Sequence, residues 1–386
     1  MSENSTKALK NIKKAISLLE KNKFTLYFFV VDCKNVPSGE LQYVYQLAKT
    51  LYDKKYDVKM IYQLENEYDQ SELDELIKKE QPIDDRRKFI GVGEWLGNEY
   101  MEIPHMNISK EEWKVSPSDF LFIPEVFPSL MKQTFQHKAP CKRIVLLHNY
   151  DYITEFIPFG DEWGSYGIRD VIASTNFQAN LIRNIFPYVK TEVLNPYISD
   201  IFRAPIKPKN LIVNIISKKT EDVNKVIKQF YWKYPIYKFI TFRDLRGYSK
   251  QSLSECLQES AITVWIDSET PFGYSAIEAM KCENIIIGKV PEHVPEWMGD
   301  ENGLFDNGIW VYDINTIPDI LSQVIGSWMQ DEIPTVLTEK MKEIKNLYTA
   351  SDYTQNVERI INHYVGERKK EFEEIETLIK AKSEEE

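Results

Sequence analysis

The sequence predicts an α/β protein built from two doubly wound domains that face a cleft. Three observations predict this class. The 386 residues suffice for two domains of ordinary size. Short apolar runs typical of buried parallel strands alternate with helical spacings along nearly the whole chain. An aperiodic stretch with two prolines, residues 203–209, separates two such series and predicts a linker.

The first series opens with a helix over residues 5–22 and a buried strand over Phe24–Val31. A turn-rich loop, helical spacing over Glu40–Tyr52 and a strand over Val58–Leu64 follow. This order is a βαβ unit, whose loop lies at the strand's carboxyl end, where open α/β sheets bind ligands. The series continues with strands at 87–92, 120–123, 143–147, 170–173 and 191–194, and with a helix at 175–186.

The second series begins after the linker and shows the same alternation. Strands are predicted at 210–216, 238–241, 261–266, 284–287 and 308–311, and helices at 222–233, 249–258, 274–282, 317–328, 338–350 and 353–386. We therefore predict an N-terminal domain over 1–202 and a second domain over 210–345. For the charged C-terminal helix of residues 346–386, a return to the N-terminal domain stays open.

Composition excludes several classes of protein. Lys and Arg number 48 against 59 Asp and Glu, a net charge of −11, which disfavours a general nucleic-acid binder. No apolar run approaches the roughly 20 residues of a membrane-spanning helix, and no secretory signal is visible. The four cysteines stand singly, without zinc spacing, so we expect reduced thiols in a cytoplasmic protein. The five histidines form no cluster, so no metal site is expected.

The most informative stretch is Ala261–Cys282, read as a buried strand, a tight turn and a helix that starts near Tyr274. The unpaired N–H groups and the dipole at a helix start suit a pyrophosphate. Gly273 is expected to let that phosphate approach the backbone. Glu278, one turn inside, is placed to accept hydrogen bonds from two adjacent hydroxyls, such as a ribose diol. An ordinary α/β turn with a surface glutamate is the alternative.

This stretch resembles the donor-site motif of the group 1 glycosyltransferases, the retaining, nucleotide-sugar-dependent family with two Rossmann-like domains (GT-B type). Phe272, Gly273 and Glu278 match its pattern E-x-F-G-x-x-x-x-E-A-M. The loop around Ser38 and Gly39 resembles the family's glycine-rich loop, and the strand-end His148 resembles its histidine that faces the sugar. The resemblance covers nearly the whole chain.

The resemblance implies that Phe272, Gly273, Tyr274 and Glu278 bind the donor together with Ser38 and Gly39. It implies a catalytic role for His148 and for the first acid of the motif. That position holds Thr270, and Glu269 stands one residue away. The cations that the family uses against the diphosphate are only partly present, and the candidates are Lys218, Lys219, Arg243 and Arg246.

We therefore expect a metal-independent glycosyltransferase that moves a sugar from a nucleoside-diphosphate sugar to a hydroxyl acceptor with retention of configuration. No cofactor is expected beyond that co-substrate, and a UDP-sugar is the first choice. The acceptor, a glycan, a lipid-linked saccharide or another hydroxyl compound, is unknown. A peripheral membrane contact through Lys10, Lys13 and Lys14 stays open. The alternatives are a catalytically inactive nucleotide-sugar-binding or scaffolding protein, and a glycosyltransferase that acts on modified DNA.

Overall fold

A computed structural model of the chain describes residues 3–31, 36–63, 78, 92–267, 269–299, 306–333 and 335–385. The chain divides into two compact units. The first comprises residues 1–174, 178–194 and 354–386, and the second comprises residues 175–177 and 195–353. The division falls at Leu194, and the C-terminal segment from Thr354 groups with the first unit.

The first unit contains a seven-stranded sheet in the order β3-β2-β1-β4-β5-β6-β7. Every neighbouring pair is parallel; Leu26 pairs with Val58 on one side and with Phe120 on the other. This is the doubly wound order 3-2-1-4-5-6, extended by a seventh strand. The strands are β1 Thr25–Phe29, β2 Asp57–Tyr62, β3 His105–Asn107, β4 Phe120–Pro124, β5 Lys142–Leu147, β6 Asp170–Ala173 and β7 Lys190–Val193.

The central strands are buried because their residues are apolar in unbroken runs, as in a sheet covered by helices on both faces. Ser38 caps the second helix, since its Oγ accepts a hydrogen bond from the N–H of Leu41 at 3.3 Å. Helices of this part of the chain include α1 Glu3–Glu20, α2 Gly39–Asp53, α3 Pro128–Gln136, α4 Asp151–Phe156 and α5 Asn176–Ile185.

The second unit contains a five-stranded parallel sheet in the order β12-β11-β10-β8-β9. Its strands are β8 Asn210–Ile216, β9 Thr241–Asp244, β10 Ser260–Trp265, β11 Ile285–Lys289 and β12 Ile309–Val311. The remaining helices are α6 Thr220–Lys233, α7 Lys250–Glu259, α8 Tyr274–Lys281, α9 Ile317–Met329, α10 Thr335–Lys345 and α11 Ala350–Glu385. One apolar core joins the fully buried strand β10 to α8 and to the inner faces of α6 and α9.

The fold class predicted from the sequence is confirmed: both units contain doubly wound parallel sheets. Several local elements differ from the sequence prediction or lie outside the described residues. The strand expected at 238–241 lies at Thr241–Asp244. A short 3-10 helix occupies Pro235–Tyr237, so the strand begins three residues later than predicted. The strand β3 and the helices α3 and α4 were not predicted, and the strand proposed at 87–92 lies outside the described residues except for Val92, which is helical.

Candidate functional site

The second sheet has one point where the order of its strands reverses, between β8 and β10. Doubly wound sheets bind ligands at the carboxyl ends of the strands that flank such a point. The loop after β8 carries Lys218 and Lys219, and the loop after β10 carries Glu269 and Thr270. Four predicted site residues thus follow the two strands that flank the reversal.

These two loops are joined by an ion pair. Lys219 Nζ lies 2.6 Å from Glu269 Oε1, and both side chains are more than half exposed. The hydrogen bond and charge of Lys219 lower the pKa of Glu269, and Glu269 raises the pKa of Lys219. At neutral pH the pair therefore presents a lysine cation and a carboxylate side by side.

Thr270 stands where the resemblance expects the first acid of the motif. Its hydroxyl donates a hydrogen bond of 2.5 Å to Asp267 Oδ2. Asp267 lies two residues after the end of β10 and was not predicted as a site residue. The turn after β10 thus contains two carboxylates, one paired with a threonine and one with a lysine.

The two candidate arginines have different surroundings. Arg246 lies in the loop after β9, where its guanidinium binds Asp244 at 2.5–3.0 Å and also Thr220, the first residue of α6. Because Arg243 follows the strand predicted at 238–241, it was expected in the loop after that strand, and that expectation was wrong. It lies within β9 and pairs with Glu259, in the last turn of α7, at 2.9 Å. Arg246 therefore lies at the carboxyl end of the sheet, in contact with the first residue of α6, whereas Arg243 lies within a strand.

The turn into α8 is closely packed. Gly273 has φ +76°, in the left-handed region, and a Cβ there would lie 3.0 Å from the ring of Trp297 and 3.3 Å from that of Trp265. Glycine is therefore required by the backbone and by two tryptophans, and the expected approach of a phosphate to Gly273 stays a prediction. Phe272 is fully buried, and its carbonyl accepts a 2.6 Å hydrogen bond from Trp297 Nε1. Tyr274 is also buried.

Glu278 is buried in α8, with 1% of its side chain exposed, instead of lying on the surface as the alternative reading required. Its Oε1 lies 2.5 Å from Nζ of Lys250, the first residue of α7. The Lys250 ammonium also stands 5.5 Å from the centre of the Tyr274 ring, a cation–π contact. The carboxylate is therefore held in place by a cation from the neighbouring helix.

The first sheet reverses its strand order between β1 and β4, and a small pocket lies there. Its lining includes Glu40, Tyr43, Glu125 and His148, together with apolar residues of α2 and of the segment that follows β1. Ser38 and Gly39 form the start of α2 beside it, and Ser38 Oγ donates to Glu40 Oε2 at 2.6 Å. The N-terminus of α2 thus already carries a carboxylate of its own.

Glu125 organises the strand end at which His148 lies. Its Oε1 accepts hydrogen bonds from the backbone N–H groups of His148, at 3.1 Å, and of Asn149, at 2.6 Å. Burial is the largest effect on this carboxyl and raises its pKa to about 8. His148 is itself buried, and its Nδ1 lies 3.7 Å from Glu40 Oε1. The His148 imidazole and the carboxyl groups of Glu40 and Glu125 therefore lie together in one pocket with otherwise mainly apolar walls.

Three residues that shape these sites were not predicted from the sequence: Lys250, Asp267 and Glu125. Glu125 carried a usable signal, since an acid directly follows the buried strand FLFIP at the expected ligand edge of the sheet. Lys250 carried none, because it is 28 residues from Glu278 and meets it only through tertiary packing.

No protein-family profile matches the chain. A characterised protein from Actinobacillus pleuropneumoniae serotype 7 (strain AP76), an alpha-1,6-glucosyltransferase, is 18% identical over 267 residues, covering 66% of this chain and 77% of that protein. Among solved structures, sucrose-phosphate synthase from Thermosynechococcus elongatus aligns with TM-score 0.56 and 11% identity, over 89% of this chain and 99% of the other.

Two further solved structures align over nearly their whole length. TarM of S. aureus, in a complex containing UDP, gives TM-score 0.57 and 12% identity over 88% of this chain and 100% of the other. The pneumococcal O-GlcNAc transferase GtfA, in complex with UDP and GlcNAc, gives TM-score 0.57 and 9% identity over 89% and 99%. The chain therefore has the GT-B glycosyltransferase fold. The resemblance to the group 1 glycosyltransferases seen in its sequence is confirmed.

The described residues provide neither a metal-binding cluster nor a membrane-spanning helix. No group of three or more His, Cys, Asp or Glu side chains among them is arranged to hold a metal ion. In the same part of the chain, no helix has both the length and the apolar character needed to span a membrane. Cys141, Cys256 and Cys282 carry free thiols.

Proposed function

We propose that this protein is a glycosyltransferase that moves a sugar from a nucleoside-diphosphate sugar to a hydroxyl acceptor. The observation that carries the proposal is the placement of Glu278. It is a buried carboxylate one turn inside α8, and α8 follows a strand that flanks the reversal point of the second sheet. A ribose diol is a suitable ligand for such a carboxylate, since its hydroxyls donate hydrogen bonds.

The diphosphate requires positive charge, and the same edge of the second sheet supplies it. Lys218 and Lys219 precede α6, and Arg246 binds the first residue of that helix. Cations and the N–H groups of a helix start stabilise the negative charge that grows on a departing diphosphate. The proposal includes no metal ion, because these groups supply the countercharge; chelation with EDTA is expected to leave the rate unchanged.

The donor is proposed to be a UDP-sugar. The support is that two proteins with this fold, TarM and the pneumococcal GtfA, have been solved in complexes that contain UDP. The A. pleuropneumoniae relative is named a glucosyltransferase, which makes UDP-glucose the first donor to test.

Retention of configuration is part of the proposal. In this reading the new bond forms on the face of the sugar that the diphosphate leaves. His148 contacts the sugar through its imidazole or its backbone carbonyl. Glu125 holds the backbone of His148 and Asn149 by two hydrogen bonds, which fixes the position of the histidine.

The test is nucleotide release from UDP-, GDP-, ADP- and dTDP-glucose, with and without polyhydroxyl acceptors, combined with direct binding measurements. We expect release from one donor, stimulated by an acceptor, and an α-linked product from an α-linked donor by NMR. Glu278→Gln is expected to weaken nucleotide binding at least tenfold, since a hydrogen bond to a charged group is worth about 1.5–3 kcal/mol. Donor binding unaffected by this variant would contradict the ribose assignment.

One observation favours a second candidate, a protein that binds nucleotide sugars without turning them over. The position of the motif's first acid is a threonine whose hydroxyl is bound to Asp267, and Glu269 is paired with Lys219. If nucleotide sugars bind tightly but no acceptor leads to release of the nucleotide, the protein binds nucleotide sugars without transferring the sugar. Transfer to hydroxymethylated DNA but not to saccharides would favour the modified-DNA alternative.

A further inference from the structure

Lys250 meets Glu278 in a buried ion pair between two helices. Ser249 caps α7 through its Oγ, so Lys250 is fixed at the first helical position. Its ammonium lies 2.5 Å from Glu278 Oε1 and between two aromatic rings, 5.5 Å from Tyr274 and 5.7 Å from Phe202. The rings favour the cation electrostatically and leave it little freedom.

The two carboxylate oxygens of Glu278 have different surroundings. Oε1 is bound by Lys250, whereas Oε2 is buried and has no hydrogen-bond partner within the described residues. An ionised oxygen that is buried without a donor is costly, and such a group calls for a specific explanation. A ligand hydroxyl that donates to Oε2 supplies the missing partner.

We propose that Lys250 is a positioning residue that holds Glu278 by Oε1, so that the carboxylate binds a single hydroxyl of the donor's ribose through Oε2. This inference rests on the proposed function, in which Glu278 binds the ribose. A carboxylate with both oxygens open can accept from both hydroxyls of a diol. With Oε1 engaged by the ammonium, one hydroxyl contributes most of the recognition and its neighbour contributes little.

The experiment is calorimetric titration of the full chain with the tightest-binding of UDP, GDP and ADP, and with the 2′-deoxy and 3′-deoxy forms of that nucleotide. We expect one deoxy form to bind about tenfold more weakly or worse, as for a lost hydrogen bond to a charged group, and the other to lose less than about threefold. Equal losses for the two forms, or none, overturn the inference and leave the glycosyltransferase proposal standing. If no nucleoside diphosphate and no nucleotide sugar binds, both this inference and the glycosyltransferase proposal fail.

A variant series separates positioning from a purely structural pair. Lys250→Met is expected to weaken ribonucleotide binding about tenfold and to remove the difference between the deoxy forms, because Glu278 is no longer oriented. Lys250→Arg is expected to restore the difference. Lys228→Met, on the exposed face of α6, is the matched control and should change neither.

Stability is followed in the same series, since Lys250→Met leaves a buried carboxylate without its cation. The double variant Lys250→Met/Glu278→Gln removes both charges and is expected to recover the melting temperature, while binding stays weak and unselective. A Lys250→Met protein that melts earlier but keeps the wild-type ratio between the deoxy forms shows a structural pair only, and it overturns the inference.

Discussion

Lys219 and Glu269 form an ion pair of 2.6 Å that ties the loop after β8 to the loop after β10. Because more than half of each side chain is exposed, the ion pair is expected to add little to stability. It lies beside the reversal of strand order, where doubly wound sheets bind ligands, so we expect it to influence ligand binding. An anion that enters there meets the lysine and must tolerate the carboxylate.

The two members of this pair are therefore expected to act in opposite directions. Lys219→Met should weaken binding of the nucleoside diphosphate, with a loss that shrinks at high salt, whereas Glu269→Gln should strengthen it because a competing negative charge is gone. Neither variant should shift the melting temperature measurably. Calorimetric titrations at low and high salt check both. Weaker binding in Glu269→Gln would instead place Glu269 in direct contact with the ligand.

Gly273 gives a second prediction, on stability. Gly273→Ala puts a Cβ into the left-handed backbone region and against the rings of Trp297 and Trp265. Strain and crowding of this kind cost about 1–3 kcal/mol. Urea unfolding measures the change. Gly366→Ala is the control, because Gly366 lies inside α11 with ordinary backbone angles and open space around its Cβ.

The control carries its own expected sign. Alanine in a helix interior is more favourable than glycine by about 0.5–1 kcal/mol, so Gly366→Ala should stabilise the protein. A Gly273→Ala protein as stable as wild type would contradict the packing around the turn into α8.

The alternation of apolar runs and helical spacings was sufficient to predict both sheets. Strand β8 lies at Asn210–Ile216, the predicted range, because its mainly apolar sequence, NLIVNII, favours a buried parallel strand. Short elements with mixed composition were not predictable: β3, His105–Asn107, is a three-residue strand that exists through pairing with β2. Its formation depends on a partner more than 40 residues away.

The candidate site divides in the same way. The resemblance to the family motif identified Phe272, Gly273 and Glu278, but it did not reveal that two tryptophans surround Gly273. It also did not reveal the cation beside Glu278, since Lys250 comes from another helix. Arg243 was misassigned because the strand that contains it begins three residues later than its apolar pattern indicated.

Lys142 in β5 carries a third prediction. Its buried ammonium lies 3.1 Å from Asp170 Oδ2 and 3.1 Å from Glu371 Oε1, so it joins the sheet to α11. Lys142→Met leaves Asp170 buried without its cation, and breaking a buried pair in this way costs about 3–5 kcal/mol. Lys190→Met is the control, since the exposed Lys190 pairs with Glu367 at 2.6 Å and should cost about 1 kcal/mol or less. Urea unfolding of both variants checks the order; equal losses would contradict it.

The last prediction concerns the pH dependence of stability through Glu125. Burial raises its pKa to about 8, from 4.5 for an ordinary glutamate. Because the folded protein binds this proton more tightly than the unfolded chain, the contribution of Glu125 to stability is complete below about pH 4.5 and is lost as the pH rises through about 8. Glu125→Gln keeps an oxygen that can accept from the N–H groups of His148 and Asn149 but removes the titration.

We therefore expect the variant to gain stability relative to wild type as the pH rises from about 5 to 8.5. The charged and titratable neighbours Glu40, His148, Tyr43 and Tyr152 are present in both proteins, so their contributions largely cancel in the difference. Urea unfolding at three pH values in this interval provides the measurement. The exposed Glu155→Gln serves as the control, whose difference from wild type should change little. A Glu125→Gln difference that stays constant with pH would show that Glu125 remains ionised in the folded protein.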